Sequence, residues 1–223
     1  MYKKILFFCS EGLPYIVILL PLCLAITFYS GKNLILGILS VVVWLLFFEV
    51  SYFFRDPERH IPQDPKIIVS PADGKIIKVT TVKEDSFLKQ KCLRLSIFMN
   101  IFSVHVNRSP IAGTIEYYHY NPGKFISAFK EKASLDNEQV SIGIRGEVHG
   151  KAEVKVLAKL IAGLIARRIV VWKHKGDRVT QGERMSLIKF GSRVDLYLPL
   201  NMELKIKVGD WVKAGETIIG LID

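Results

Sequence analysis

Two long uncharged stretches near the start of the chain are the strongest constraint on how it can fold. Residues 13–31 are 19 residues without a charge, and residues 33–48 are another 16. A membrane-crossing helix needs about 20 predominantly apolar residues. The break between the stretches contains Gly31 and Asn33, which are typical turn residues. The sequence therefore predicts an apolar helical hairpin over residues 1–54 that attaches the chain to a membrane.

Basic residues flank this hairpin on both sides. Lys3 and Lys4 precede it, and Arg55 and Arg59 follow it. Because cytoplasmic segments next to membrane helices are enriched in Lys and Arg, we expect both ends, and the rest of the chain, on the cytoplasmic side of the cell membrane. A cleaved signal peptide is the alternative, but the apolar signal continues well beyond the length of one. Prolines in the first stretch leave open a hairpin that enters only one leaflet.

The remaining chain, residues 55–223, is basic. It carries 28 Lys and Arg against 19 Asp and Glu, within a whole chain of net charge +10. An anionic lipid surface is the nearer partner for a basic domain beside a membrane, so we expect no nucleic acid. Three scattered cysteines, Cys9, Cys23 and Cys92, indicate neither a disulfide framework nor a metal site.

After a linker at residues 55–65 the hydrophobic period becomes strand-like. Short apolar runs separated by Gly, Pro, Asn and Asp predict a mostly β (α+β) domain, with one short helix at residues 161–168. The spacing G-D-x-V-x-x-G-E occurs twice, at residues 176–183 and 209–216. Two equivalent hairpins are therefore expected, in a small barrel or sandwich with two related lobes like those of lipoyl carriers. The carrier lysine motif is missing, which argues against a carrier function.

Three side chains are candidates for chemistry because each adjoins a turn or the end of a strand. Asp73 lies in S-P-A-D-G, where its alternative role is to form the turn. His105 alternates with two valines and is expected to face outward or into a cleft, which also suits an ordinary surface histidine. Ser192 follows Gly191, whose missing side chain favours attack of the serine on the preceding carbonyl, although Gly-Ser is usually only a turn.

Taken together, four segments resemble the short form of phosphatidylserine decarboxylase proenzymes over nearly the whole chain. They are V-S-P-A-D-G at 69–74, V-H-V-N-R at 104–108, I-A-G-L-I-A-R-R-I at 161–169 and K-F-G-S-R-V-D at 189–195. The resemblance implies self-cleavage between Gly191 and Ser192 into fragments 1–191 and 192–223, which stay together as a heterodimer. It implies that Ser192 becomes a covalent pyruvoyl group, assisted by His105 and Asp73.

The implied reaction is decarboxylation of phosphatidylserine to phosphatidylethanolamine at the membrane, without an external cofactor or a metal. Lys124, Arg167 and Arg168 are candidate phosphate contacts. The chain departs from the family at two places. Phe102 stands where longer members have a second histidine, and Gln139 stands where relatives of the short form often have arginine.

Two other functions remain open from the residues alone. A noncatalytic membrane adaptor could use the carrier-like barrel, and it predicts an intact chain. A Ser-His-Asp hydrolase could use the same three side chains, but it would keep its serine, and the sequence lacks a G-x-S-x-G motif.

Overall fold

A computed structural model describes residues 4–5, 7–31, 33–62, 64–123, 137–148, 152–163, 168–189 and 192–222. The chain forms two compact units, Tyr2–Glu58 and Arg59–Asp223. Each unit is described by itself.

The N-terminal unit is a helical hairpin, which confirms the two predicted apolar helices. Its elements are β1 (Lys4–Ile5), β2 (Phe8–Cys9), a 3-10 turn (Ser10–Gly12), α1 (Leu13–Ser30) and α2 (Leu34–Phe53). The side chain of Asn33 caps α2 by accepting hydrogen bonds from the N–H groups of Ile35 and Leu36, which satisfies donors that a helix leaves unpaired at its first turn.

Polar side chains join the two helices. Thr27 Oγ1 lies 2.7 Å from Ser40 Oγ and accepts a hydrogen bond of 3.0 Å from Trp44 Nε1. Such contacts hold apolar helices in register when neither helix gains from hydrophobic burial in lipid. Both helices are mostly exposed and reach mean hydropathies of 2.0 and 2.4, so each has the length and composition to cross a bilayer.

The second unit is built mostly from antiparallel strands, as predicted. The strands are β3 (Ile67–Val69), β4 (Gly74–Glu84), β5 (Gln90–Met99), β6 (Val106–Arg108), β7 (Gly113–Asn121), β8 (Gln139–Val148), β9 (Ala152–Ala162), β10 (Ile169–Val171), β11 (Arg178–Val179), β12 (Arg184–Ile188), β13 (Ser192–Leu198), β14 (Met202–Leu204), β15 (Trp211–Val212) and β16 (Ile218–Ile222). β4, β5, β8 and β9 are each 10 or 11 residues long. Eight of the strands form one curled half-barrel sheet in the order β11-β7-β8-β9-β13-β5-β4-β15, and two three-stranded sheets, β10-β12-β6 and β14-β16-β3, complete the unit.

The large sheet has two similar halves, β11-β7-β8-β9 and β15-β4-β5-β13, which meet at the pair of β9 and β13. The two G-D-x-V-x-x-G-E segments form equivalent contacts, because Gly176 N–H donates to the Ile115 carbonyl and Gly209 N–H donates to the Ile76 carbonyl, both at 2.8 Å. Both glycines have positive φ, 96° and 103°, which glycine adopts without strain. The two segments are therefore equivalent, but the predicted hairpins are wrong, because β11 pairs with β7 and not with β12, and β15 pairs with β4 and not with β16.

The repeat extends to the turns before β4 and β7. Residues 70–74 read S-P-A-D-G and residues 109–113 read S-P-I-A-G. In each turn the serine hydroxyl donates to a carbonyl two residues ahead, at 2.7 and 2.6 Å. The turns also bind each other's lobe reciprocally, because Arg108 N–H donates to the Pro71 carbonyl and Val69 N–H to the Pro110 carbonyl. Asp73 in one lobe therefore corresponds to Ala112 in the other.

The predicted helix at residues 161–168 is wrong where the structure describes it. Ile161 and Ala162 form the end of β9, where they pair with both β8 and β13. Hydrogen bonding on both sides of the strand outweighs the weak local preference of an Ile-Ala sequence for helix. Residues 164–167 lie outside the described residues.

The two faces of the large sheet differ in character. One face carries the main apolar core, which includes Leu160, Val194 and Leu196. On the other face, Arg193 Nε lies 3.0 Å from the fully buried carboxylate of Asp195. Burial lowers the pKa of neighbouring Lys159, partly offset by the charge of Asp195. Alternation along β13 thus places Arg193 and Asp195 opposite the core face.

Cys92 lies in a small apolar cluster on this second face, with Leu88, Leu157 and Tyr197. Burial, with a smaller contribution from the charge of Glu84, raises the pKa of its thiol to about 11.

At pH 8 the thiolate population of Cys92 should therefore fall about a hundredfold below that of an ordinary cysteine. We expect iodoacetamide to label Cys92 slowly in a folded Cys9→Ser, Cys23→Ser variant and rapidly in urea. Equal labelling rates would contradict this burial.

Candidate active site

Six neighbouring strands of the large sheet end together at one edge. β4 begins at Gly74 and β5 ends at Met99, while β13 begins at Ser192 and β9 ends at Ala162. β8 then begins at Gln139 beside the end of β7. The antiparallel register therefore brings together the turn that carries Asp73, the first residue of β13 and the start of β8.

Ser192 is the first residue of β13 and is fully buried. It pairs with Met99 on one side and with Ala162 on the other. Its hydroxyl donates a 3.2 Å hydrogen bond to Met99 Sδ, a weak acceptor. Because Val194 and Leu196 belong to the core, alternation places Ser192 on the core face as well. The serine is thus held in position by its backbone while its hydroxyl is only weakly engaged.

The chain just before the predicted cleavage site is also held. Ile188 N–H donates to the His105 carbonyl at 3.3 Å, and Lys189 N–H donates to the Arg168 carbonyl at 3.2 Å. Phe190 and Gly191 lie outside the described residues. Two fixed segments, one ending at Lys189 and one beginning at Ser192, therefore flank the predicted bond.

His105 is fully buried, so of the two predicted orientations, outward or into a cleft, the outward one is wrong, and His105 is not an ordinary surface histidine. Its flanking residues Val104 and Val106 are buried as well. Alternation predicts exposure only where one face of a strand meets water, and here the segment before β6 is covered on both sides. Burial makes His105 part of the interior rather than of a solvated face.

The His105 ring has a defined tautomer. Its Nδ1 lies 2.9 Å from the Ser103 carbonyl oxygen. A carbonyl oxygen only accepts hydrogen bonds, so Nδ1 carries the proton and Nε2 is the basic nitrogen of the neutral ring. The preceding turn positions Ser103, because Asn100 Oδ1 accepts from Phe102 N–H at 2.9 Å. This turn therefore leaves His105 able to take up a proton at Nε2.

Asp73 lies two strands from Ser192 at the same edge. Lys75 pairs with Phe98 and Met99 pairs with Ser192. The Asp73 carboxylate accepts from Arg59 at 2.8 Å and from Ala214 N–H at 2.7 Å. The sheet thus places Asp73 and Ser192 at one edge. The Asp73 carboxylate binds Arg59 and Ala214, whereas His105 Nδ1 binds the Ser103 carbonyl. That Asp73 assists Ser192, as the family resemblance implies, stays a prediction.

Sequence reasoning missed several residues around Ser192. Met99 lies directly opposite it, and nothing in the local sequence marks that position. Asn137 Nδ2 donates to the Ala162 carbonyl at 2.6 Å, and Ala162 N–H donates to the Glu138 carbonyl at 3.0 Å. These two residues thus fix the strand end next to Ser192. Their only signal in the sequence was their position directly before Gln139, which the family resemblance marks as a departure from the common arginine.

The remaining predictions concern the candidate phosphate contacts and a metal site. Lys124 and Arg167 lie outside the described residues, whereas Arg168 is described and exposed. Among the described residues, no group of three His, Cys, Asp or Glu side chains converges to hold a metal ion.

Comparison with known proteins decides the family. The model of the phosphatidylserine decarboxylase family matches residues 46–220. The chain belongs to the phosphatidylserine decarboxylase family. It is therefore a decarboxylase, and its family acts in phospholipid biosynthesis.

Curated relatives agree with this membership. The phosphatidylserine decarboxylase proenzyme of Desulfotalea psychrophila is 50% identical over 77% of this chain and 78% of its own length. The proenzymes of Syntrophus aciditrophicus and Carboxydothermus hydrogenoformans are each 42% identical. They cover 96% and 99% of this chain, and 97% and 99% of their own lengths. The similarity to this decarboxylase family thus includes the helical hairpin.

Proposed function

We propose that this chain decarboxylates phosphatidylserine to phosphatidylethanolamine, using a pyruvoyl group made from its own Ser192. The position of Ser192 carries the proposal. It is the buried first residue of β13, and hydrogen bonds hold the chain on both sides of the predicted cleavage site. The names of the relatives, which are phosphatidylserine decarboxylase proenzymes, support both the substrate and a maturation step.

Maturation begins when His105 Nε2 takes the proton of Ser192 Oγ, which attacks the Gly191 carbonyl carbon. The acyl group moves from nitrogen to oxygen, so the chain is joined by an ester. Removal of the Ser192 Cα proton breaks the ester C–O bond and releases residues 1–191 with a terminal carboxylate. The remaining dehydroalanine tautomerises to an imine, which adds water and loses ammonia to give the pyruvoyl end of fragment 192–223.

Ser192 fits this conversion because it supplies the hydroxyl that the acyl shift requires and lies where bulk water is excluded. After the cut, the pairing of β13 with β5 and β9 keeps the new chain end in place. The Arg193–Asp195 ion pair secures the same strand on its other face. The pyruvoyl group supplies a ketone that reacts with the substrate amine and withdraws electrons as carbon dioxide leaves.

The two units have complementary roles in this proposal. Residues 1–54 attach the protein to the cell membrane, and residues 55–223 form the decarboxylase domain on its cytoplasmic side. The mean hydropathies of the two helices support attachment, and Lys3, Lys4, Arg55 and Arg59 support the side. The two equivalent G-D-x-V-x-x-G-E segments support two related lobes of the lipoyl-carrier type. A membrane-bound domain can meet the head group without extracting the acyl chains.

Mass spectrometry of the protein purified from membranes tests the proposal. We expect two fragments, residues 1–191 and 192–223, that copurify as a heterodimer. The shorter one should be lighter by one ammonia than the same fragment with an N-terminal serine. Vesicles containing phosphatidylserine should release carbon dioxide in its presence. An intact chain with an unmodified Ser192 would contradict the proposal and favour an adaptor or a serine hydrolase.

A further inference from the structure

A polar pocket opens beside the predicted site. Its volume is about 450 Å³, and its polar wall is formed by Tyr118, Tyr120, Glu138, Arg168 and His174, with aliphatic side chains of β8 and β10 between them. A pocket of this size can take a polar head group but not the acyl chains of a lipid.

The pocket lies close to Ser192 through one intervening strand. The Glu138 carbonyl accepts from Ala162 N–H at 3.0 Å, and Ala162 pairs with Ser192. Two strand spacings correspond to about 10 Å. Glu138 and Val140 lie on the same face of the sheet as Ser192, because Val140, Leu160 and Val194 all belong to the core. A ligand in the pocket is therefore on the correct side of the sheet to reach Ser192.

Arg168 supplies the positive charge of this pocket. Its backbone is fixed, since its carbonyl accepts from Lys189 N–H and the next residue pairs with Ile188. Burial raises the pKa of Glu138, partly offset by hydrogen bonds that its carboxylate accepts from Ile169 N–H and the Tyr120 hydroxyl and by the charge of Arg168. The exposed guanidinium of Arg168 lines the same pocket and can donate charge-assisted hydrogen bonds to an anion.

Tyr118 and His174 add hydrogen-bond donors to the same wall. Their rings pack against each other with centroids 5.7 Å apart. Hydroxyl and imidazole N–H groups can donate to phosphate oxygens that the guanidinium leaves free. The wall thus combines one cation with several hydrogen-bond donors, which is the chemistry that recognises a phosphate ester.

We propose that this pocket binds the phosphodiester of the substrate head group, with Arg168 as its principal contact. The proposal rests on the proposed function, because it assigns the anion-binding part of the same site. It also separates two roles at this edge of the sheet, since Arg168 would bind substrate whereas Ser192 and His105 perform maturation.

Kinetics of the matured enzyme test the proposal. We expect Arg168→Gln to mature normally but to raise KM for phosphatidylserine in mixed micelles by on the order of tenfold or more, because one charge-assisted contact is lost. The kcat should change much less. Arg168→Lys should recover part of the loss. The matched control Arg178→Gln removes an exposed arginine of β11 and should leave KM unchanged.

Soluble competitors distinguish a lipid head group from free phosphate. Glycerophosphoserine should inhibit the wild-type enzyme and inhibit Arg168→Gln more weakly. Inorganic phosphate should compete in the same direction but less strongly, since it lacks the serine group. Stronger competition by inorganic phosphate would contradict a head-group site and indicate a free-phosphate site.

Two outcomes overturn the proposal. One is matured Arg168→Gln with wild-type KM, which would leave the proposed function intact. The other is a failure of glycerophosphoserine to protect Arg168 from chemical modification, which is measured if the Arg168→Gln variant stays uncut. Phenylglyoxal modification of the matured wild-type enzyme, mapped by peptide mass spectrometry, then decides. Glycerophosphoserine should protect Arg168, and failure to protect it would refute the site. A wild-type chain that never matures would instead refute the proposed function.

Discussion

Ser192→Ala should leave the chain as one polypeptide of 223 residues and abolish carbon dioxide release. The substitution removes the oxygen that attacks the Gly191 carbonyl, and no alternative route to a pyruvoyl group then exists. The hydroxyl makes a single weak bond to Met99 Sδ, so the free energy of unfolding should change by about 1 kcal/mol or less. Denaturing electrophoresis, mass spectrometry and urea unfolding of the same preparation measure all three effects.

A matched control makes this result specific. Ser186 is also a fully buried serine, in β12, and its hydroxyl has no hydrogen-bond partner within the described part of the chain. Ser186→Ala should therefore be cut and active like the wild type. Cleavage of Ser192→Ala between residues 191 and 192 would exclude Ser192 as the nucleophile.

The internal repeat bears on the alternative role of Asp73. From sequence, an aspartate in S-P-A-D-G could serve only to form the turn. The equivalent turn at residues 109–113 forms with Ala112 in that place, and its serine hydroxyl bonds in the same way. The turn therefore does not require an aspartate. Asp73 instead binds Arg59 and the Ala214 N–H, which is consistent with a role specific to one lobe.

The N-terminal helical hairpin and most strands were predictable because the residues that indicate each element lie within that element. Charge-free length identifies an apolar helix, and the glycines of the repeated motif identify a turn that needs positive φ. The repeat predicted a small barrel or sandwich with two related lobes, and the structure shows a curled half-barrel sheet instead of a closed barrel. The predicted helix at residues 161–168 was wrong because Ile161 and Ala162 pair with β8 and β13, and local patterns do not show pairing with other segments.

The site was predictable only in part for the same reason. Motifs marked Ser192, His105 and Asp73, but no pattern indicated that Met99 lies opposite Ser192 or that Asn137 binds the adjacent strand end. Those contacts depend on the register between strands, which a single sequence does not specify. The burial of His105 was missed because alternation cannot show that a second layer covers the outer face.

His105→Asn should fold normally and fail to mature. An asparagine amide can donate to the Ser103 carbonyl as Nδ1 does now, but it has no basic nitrogen to accept the serine proton. The substitution therefore separates the chemical role of the ring from its structural one. His105→Ala should also stay uncut, and added imidazole should restore some cleavage by replacing the missing base.

The rate of fragment appearance after folding, followed by electrophoresis, measures this effect. His119→Ala is the control, because His119 stacks on Tyr117 on the exposed part of β7 and should mature at the wild-type rate. Wild-type cleavage by His105→Asn would remove His105 as the base and leave Asp73 as the remaining candidate at that edge. An uncut His105→Asn that imidazole cannot rescue, with rescued His105→Ala, would be the strongest support, since the asparagine fills the space that imidazole needs.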